Sequence, residues 1–415
     1  MRIWSVPAAA RGFSPLDEQL GLVAGQFAPR LIEGAVRLGT WLPFGQVPEM
    51  LAFFTGVRMD AETVRRLTEG AGAALVAVED AVVARLEREM PPAPPGPPIQ
   101  QLSADGAMVP LIGGVWAEVK TLAIGTVARQ ANGAIHTTAL SYCSRLTDAR
   151  EFARVTRGET QRRGTETAGV VCAVQDGAVW LQELVALHRP DAVRILDFPH
   201  AVQQISAVGQ AVWGAGSVQA VAWLDKQCHA LKHDDPDVVL AAIRAVPVEQ
   251  AVVPAQAAEA RDATLGYLAS RRAQIAYADF QAAGYPIGSG MVESANKLVV
   301  EARLKGSGMH WARKNVNGMV ALRALVCSDR WTEGWVAIAR YWQMERAERR
   351  AERAHARMTM MPVAVPPDQP PPPPIVTPHQ RPRRRLVVNG RPTPDHPWRR
   401  RFLPPRPRSA VTAIS

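Results

Sequence analysis

The chain is short of the residues that mark secreted, membrane-spanning and redox proteins. Only 4 of its 415 residues are cysteine. Cys143, Cys172, Cys228 and Cys327 stand apart, with no Cys-x-x-Cys spacing. That excludes a disulfide framework and a cysteine-built zinc cage, and it fits buried thiols in a reducing compartment. No uncharged apolar run reaches the ~18 residues of a membrane span. The opening residues, MRIWSVPAAARGF, hold no apolar core of signal-peptide length, so secretion is not expected. WGAGS (213–217) lacks the Lys-Ser/Thr of a phosphate-binding loop, which removes an ATP site. QCHALKH places His229 and His233 one helical turn apart beside Cys228, but no second cluster completes a zinc site. Acids are nearly missing from residues 381–415. There Arg381, Arg383, Arg384, Arg385, Arg391, Arg399, Arg400, Arg401, Arg406 and Arg408 face the single acid Asp395. This tail holds nearly all of the chain's net charge of +10. It fits a polyanion-binding segment, and equally a solubilising disordered end.

The remaining composition is that of a globular protein, 47% hydrophobic and 21% charged, long enough for two or three domains. Heavy use of Ala, Arg, Pro and Val points to a GC-rich bacterial gene. Two proline-rich stretches divide the chain. MPPAPPGPPIQ (90–100) reads as a stiff linker, and VPPDQPPPPPIVTP (365–378) opens the tail. The expected organisation is a helical unit over 1–89, the linker, a main body over 101–345, and a helix end with a disordered basic tail over 346–415.

In the first unit, PEMLAFFTGVRMDAETVRRLTEGAG (48–72) reads as helix, turn, helix, with Asp60 as N-cap. Val64 and Leu67 face inward, Arg65 and Arg66 outward. This is helix-turn-helix-like, the pattern of a DNA reader and also of any helical hairpin. A separate amphipathic helix is expected over 73–89.

The body opens on strand patterns at 103–112, 116–128 and 134–142, then a charged helical stretch over 147–163. AGVVCAVQDGA (168–178) reads as a buried strand, VWLQELVALHR (179–189) as a helix and AVRILDFPHA (192–201) as another strand. From 202 to 283 the pattern is helical. This order suits an α/β fold with a ribonuclease H-like mixed sheet covered on both faces and carrying a helical insertion.

Three acids lie where such a layout would gather them. Asp105 is in the first strand, Asp176 ends the fourth, and Glu293 starts the helix within GYPIGSGMVESANKLVVEARLKGSGMHWARKNVNG (284–318). Three converging carboxylates need divalent cations. Each acid also has a plain reading. Asp-Gly is a common turn dipeptide. Glu293, Lys297, Glu301 and Lys305 form an i,i+4 ladder of alternating charge. Asp191 and Asp197 also lie near the expected sheet edge, so spacing alone leaves the assignment open.

Longer blocks bear on that choice. YPIGSGMVESANK (285–297), RLKGSGMHW (303–311), ALRAL (321–325) and RWTEGW (330–335) resemble the ISKra-type insertion-sequence transposases. ADGAMVPL (104–111), WAEVK (116–120), QDGAVWL (175–181) and ILDFPHA (195–201) follow the family's order, and RGFSPLDEQLGL (11–22) resembles its start. These are DDE enzymes with a ribonuclease H-like catalytic domain. The resemblance implies that Asp105, Asp176 and Glu293 form the catalytic triad and hold two Mg²⁺ (or Mn²⁺) ions, with Asp197 and His200 as a supporting D-x-x-H element. It implies binding of transposon ends and target DNA, metal-dependent strand cleavage and strand transfer, a dimer or larger assembly on DNA, and a bacterial cytoplasmic, nucleoid-associated location with no membrane partner. Lys297, Arg303, Lys305 and Arg313 are then expected on phosphates, alongside Arg65 and Arg66. Trp311 is expected to stack on a base, or else to be a core residue. A metal-dependent nuclease of the same fold, or an inactive DNA-binding regulator, are the alternatives.

Overall fold

The computed structural model describes residues 27–359 and the short pieces 387–388 and 391–392. The expectations for 11–22, for the second proline-rich stretch and for nearly all of the arginine tail lie outside the described residues. No described helix is long and apolar enough to cross a membrane.

Three helices come first: α1 (Pro29–Trp41), α2 (Val47–Thr55) and α3 (Ala61–Glu89). Asp60 caps α3, its side chain accepting from Thr63 N at 2.8 Å. The expected break near residue 72 is absent, and α3 runs unbroken for 29 residues. Its apolar face is covered for most of that length, which holds it straight across two glycines. Val64 is fully buried and Leu67 packs between two core clusters. Gly72 crosses Gly318 so closely that a Cβ there would stand 2.6 Å from the Gly318 backbone.

A five-stranded mixed sheet follows, in the order β3-β2-β1-β4-β5. Its strands are β1 (Ile99–Pro110), β2 (Trp116–Arg129), β3 (Ile135–Arg145), β4 (Val170–Gln175) and β5 (Val193–Leu196). The first three pair antiparallel, while β4 runs parallel to β1 and β5 parallel to β4. Short helices α4 (Ala149–Val155) and α5 (Arg157–Arg162) lead into β4, and α6 (Val179–His188) joins β4 to β5. The expected strand over 192–201 is half strand and half helix. Pro199 cannot donate to a strand ladder but suits a first helical turn, and Asp197 caps α7 (Phe198–Trp213).

Only helical elements lie between Leu196 and Gly290: α7, α8 (Val218–His233), α9 (Pro236–Arg244), α10 (Pro254–Ala269) and α11 (Tyr277–Ala282), with two short 3₁₀ turns. Next come α12 (Gly290–Ala295), a π-helical turn (Asn296–Glu301) and α13 (Ala302–Leu304). The helices α14 (Arg313–Cys327) and α15 (Trp331–Thr359) complete the described body.

Strand alternation distributes the core. Leu102, Ala104, Val171 and Ala173 face α4 and α6. On the opposite face the cover is split. Ala107, Val109 and Val119 meet Val292, Val299 and α14, whereas Cys172, Val174 and Ile195 meet the block α7–α11. The division between these two layers falls at the β1–β4 boundary.

The helices α1–α3 are not a separate body. Ile32, Val36, Ala71 and Leu75 share a cluster with Leu322, Leu325 and Trp331. The proline-rich segment is docked rather than free, with Gly96 N bonded to Thr167 Oγ1 at 2.9 Å and Val170 N to Pro98 O at 2.9 Å. The described residues up to Glu352 form one compact unit. The second unit, Arg353–Ser415, has among its described residues the end of α15 and a two-stranded pair, Val387–Val388 with Arg391–Pro392.

Candidate active site

Strand register brings two of the predicted acids level. β1 and β4 pair with a constant offset that ends at Leu102 opposite Ala173. Carried three residues further, the same offset puts Asp105 and Asp176 level where the helical cover divides, and the Asp176 charge is felt at Asp105. Asp197 follows the same row, one place beyond the Gln175–Leu196 pair of β4 and β5. Carboxyl ends of parallel strands at such a division are where α/β sheets open a crevice.

The Asp176 charge acts on Asp105. Burial comes first in raising the Asp105 carboxyl above its ordinary value, and the Asp176 and Glu118 charges add to the rise. Two hydrogen bonds oppose it: Oδ1 accepts from Gly106 N at 2.7 Å, and Oδ2 from Asn296 Nδ2 at 3.0 Å. The Asp176 Oδ1 accepts from Ala178 N at 2.9 Å. Its turn is held from the helical block. Tyr267 Oη donates to the Asp176 carbonyl at 2.6 Å, and Arg271 Nη2 to the Gly177 carbonyl at 3.2 Å, with the Arg271 guanidinium stacked 4.0 Å from the Tyr267 ring. Gly177 lies at φ +86°, and a Cβ there would run into both side chains.

Glu293 occupies α12, exposed to solvent, one turn before the Asn296 that touches Asp105. The i,i+4 ladder through it does not form as a whole. The π turn inserts an extra residue into the helical repeat, and of the expected pairs only Lys305–Glu301 closes, at 2.6 Å. π turns recur at functional sites because they re-aim side chains at a local cost. Here Arg323, only 1% exposed, meets that cost. It donates from Nη2 to Leu298 O, from Nε to Val299 O at 3.4 Å and from Nη1 to Thr40 O at 3.4 Å, and it stacks 4.2 Å from the Trp41 ring.

Asp197 and His200 are braces. Asp197 is 5% exposed, and its two oxygens accept from His200 N at 3.2 Å and Ser289 N at 2.6 Å. That second bond fixes the loop before α12 to the end of β5. The His200 ring lies 6.4 Å from that of Tyr267.

The expected phosphate contacts separate into two groups. Lys297, Arg313 and Arg66 are exposed. Arg65 is committed to Glu62 and Glu69, each at 2.8 Å, and Lys305 to Glu301. Arg303 and Trp311 are core residues, which corrects the expectation of DNA contact for Arg303 and agrees with the core alternative for Trp311. Arg303 is 2% exposed, donates to Gly39 O at 3.1 Å and lies between the Phe44 and Trp311 rings. Burial, with the nearby Arg323, brings its guanidinium down to about 10. Trp311 is 7% exposed and donates from Nε1 to Leu304 O at 3.2 Å.

Several participants had no role in the sequence reading: Asn296, Glu118, Lys120, Tyr267, Arg271 and Arg323. Four of them stood in blocks singled out for other reasons, Asn296 in ESANK, Glu118 with Lys120 in WAEVK, and Arg323 in ALRAL. Lys120 offsets Glu118 by an ion pair of 2.5 Å and lies 5.5 Å from the Trp180 ring.

Among the described residues, no three His, Cys, Asp or Glu side chains form a group that would hold a metal ion. Asp105 and Asp176 as a pair do suit a hard divalent cation, being mutually repelling oxygen donors. The Asn296 Oδ1 beside them is buried without a hydrogen-bond partner. Glu293 is not assembled with the pair. No protein-family model matches this chain, and no curated protein matches it.

Proposed function

We propose that the chain is a DDE transposase of a bacterial insertion sequence, with a ribonuclease H-like catalytic domain. The observation that carries this reading is the pairing of Asp105 and Asp176, level on adjacent parallel strands beneath a helix that bears Glu293. The sheet order, three antiparallel strands followed by two parallel ones joined through helices, supports the fold, and the collinear sequence blocks support the family.

Asp105 and Asp176 would hold Mg²⁺ or Mn²⁺, with Glu293 as the third carboxylate. The ions would supply charge neutralisation at the phosphodiester and lower the pKa of the attacking hydroxyl. The chain's own residues do the positioning. Asn296 orients Asp105, Tyr267 and Arg271 hold the Asp176 turn, and Asp197 anchors the loop from which α12 starts. Lys297, Arg313 and Arg66 contact phosphates. Attack by water at each element end frees a 3′-hydroxyl, and attack by that hydroxyl on target DNA joins the strands. Two ends must meet in one complex, so the working form on DNA is at least a dimer, in the bacterial cytoplasm.

The test is incubation of the purified protein with Mg²⁺ and labelled DNA carrying the element's ends. Cut and joined products are expected. Cutting without joining would mean a nuclease. End binding without cutting would mean a regulator, the reading favoured by Glu293 standing apart from the other two acids.

A further inference from the structure

A cavity of about 730 Å³ adjoins α12, formed by the β2–β3 turn, the 285–291 loop and the end of α8. Arg129, His136 and Lys232 line it, together with Gln101, Tyr285 and Ser294, the last being next to Glu293 in sequence. Among the described residues no acid lines it. Three other cavities contain carboxylates: Glu79 and Glu159 in one, Glu166 in a second, Asp148 and Glu151 in a third. Arg129 donates from Nη2 to the Gln281 carbonyl at 3.1 Å, a neutral partner that fixes the guanidinium and leaves its charge uncompensated. Gln101 joins this wall to the candidate site, lying on β1 and donating from Nε2 to Gly288 O at 2.9 Å.

We propose that this groove binds one strand of single-stranded DNA, with phosphates on Arg129 and Lys232 and a base against the Tyr285 ring. The chemistry is that of single-strand binding generally: cations tracking the backbone and an aromatic face for the bases. The volume is in the range of sites that enclose small ligands, roughly 300–1,000 Å³. That admits a short stretch of one strand. The place of the groove against α12, the helix that bears Glu293, gives it a use under the function proposed above, which is to hold the strand freed by cutting. Strand binding itself does not depend on that function.

The test is fluorescence anisotropy of a labelled oligo-dT over a series of salt concentrations. It compares the full chain with Arg129→Gln, Lys232→Gln and their double variant. Arg85→Gln, in the cavity that contains Glu79 and Glu159, serves as a charge-matched control, and melting curves establish that each variant is folded. Each groove substitution is expected to weaken binding about tenfold. The double variant is expected to lower the slope of log K against log salt by roughly 1.4, two phosphate contacts at ~0.7 each. The control should match wild type. An unchanged slope in the double variant would overturn the proposal, as would displacement of the oligonucleotide by an equal concentration of dTMP, which would make the groove a nucleotide pocket. If wild type cuts and joins DNA while the double variant keeps its strand affinity, the groove assignment fails and the transposase reading stands. If the groove binds strands and wild type never cuts, the reverse holds.

Discussion

Asp105 and Glu293 belong to the same candidate site and are held by opposite means. Asp105 sits within a strand paired on both sides, and its level relative to Asp176 is set by a register that any slip would destroy. Its carboxylate is half-buried, bonded at both oxygens and repelled by its neighbours. Glu293 stands in the open on a six-residue helix. Its aim depends on a π turn, and the π turn depends on a buried arginine reaching from α14. Ladder hydrogen bonds shared over many residues fix the first acid. A few side-chain contacts fix the second, so single substitutions should move the helix side and leave the sheet side in place.

The largest effect on stability is expected from Arg323→Met. It leaves the Leu298, Val299 and Thr40 carbonyls without their donor, at about 2–4 kcal/mol, part of it offset by removing a buried charge. Urea unfolding measures the loss, and hydrogen exchange should show faster opening across 296–301 with the sheet amides unchanged. Arg323→Lys should recover only part, because an ammonium cannot span three carbonyls as a guanidinium does.

A smaller effect, about 1 kcal/mol, is expected from Asn296→Ala, which removes one hydrogen bond to a charged group. Its sharper signature is in pH. Asn296 pulls the Asp105 carboxyl down, so its loss lets that carboxyl rise further. The acidic limb of the activity profile should move to higher pH, and a limb that stays in place would detach Asn296 from Asp105.

Asp105→Asn works in the other direction. A carboxyl raised by folding binds its proton more tightly folded than unfolded. Its contribution is therefore fully present below the ordinary value of 3.8 and lost as pH rises to the folded value. Near neutrality the ionised group is a burden, and Asn relieves the repulsion. The melting midpoint should rise by roughly 2 °C while activity disappears. The smallest effect is expected from Glu293→Gln, with no measurable change in melting, since the ladder that would have tied Glu293 to Lys297 is broken.

The sheet side was the more legible in the sequence. Strand patterns at 103–112, 116–128 and 134–142 and the apolar run before Asp176 foretold the strands in their order along the chain. The helical stretch after Leu196 was equally plain. The helix side was misjudged where long-range packing prevailed over local pattern. An i,i+4 charge series promised an ordinary helix, and nothing local revealed a π turn sustained by Arg323. Arg303 looked like a DNA contact because Arg suits that work, yet it lies over the Trp311 ring in the core. Helix α3 was divided at its glycines, of which Gly72 serves instead to let α14 approach. Asp197, grouped with the chemistry, spends both oxygens on a cap and a loop.

The most direct test of the central claim is strand transfer in vitro with Mg²⁺ and DNA bearing the element's ends, comparing wild type with Asp105→Asn, Asp176→Asn and Glu293→Gln. Joined products are predicted from wild type alone, with DNA binding retained by all three variants. Undiminished joining by Asp105→Asn or Asp176→Asn would contradict the account.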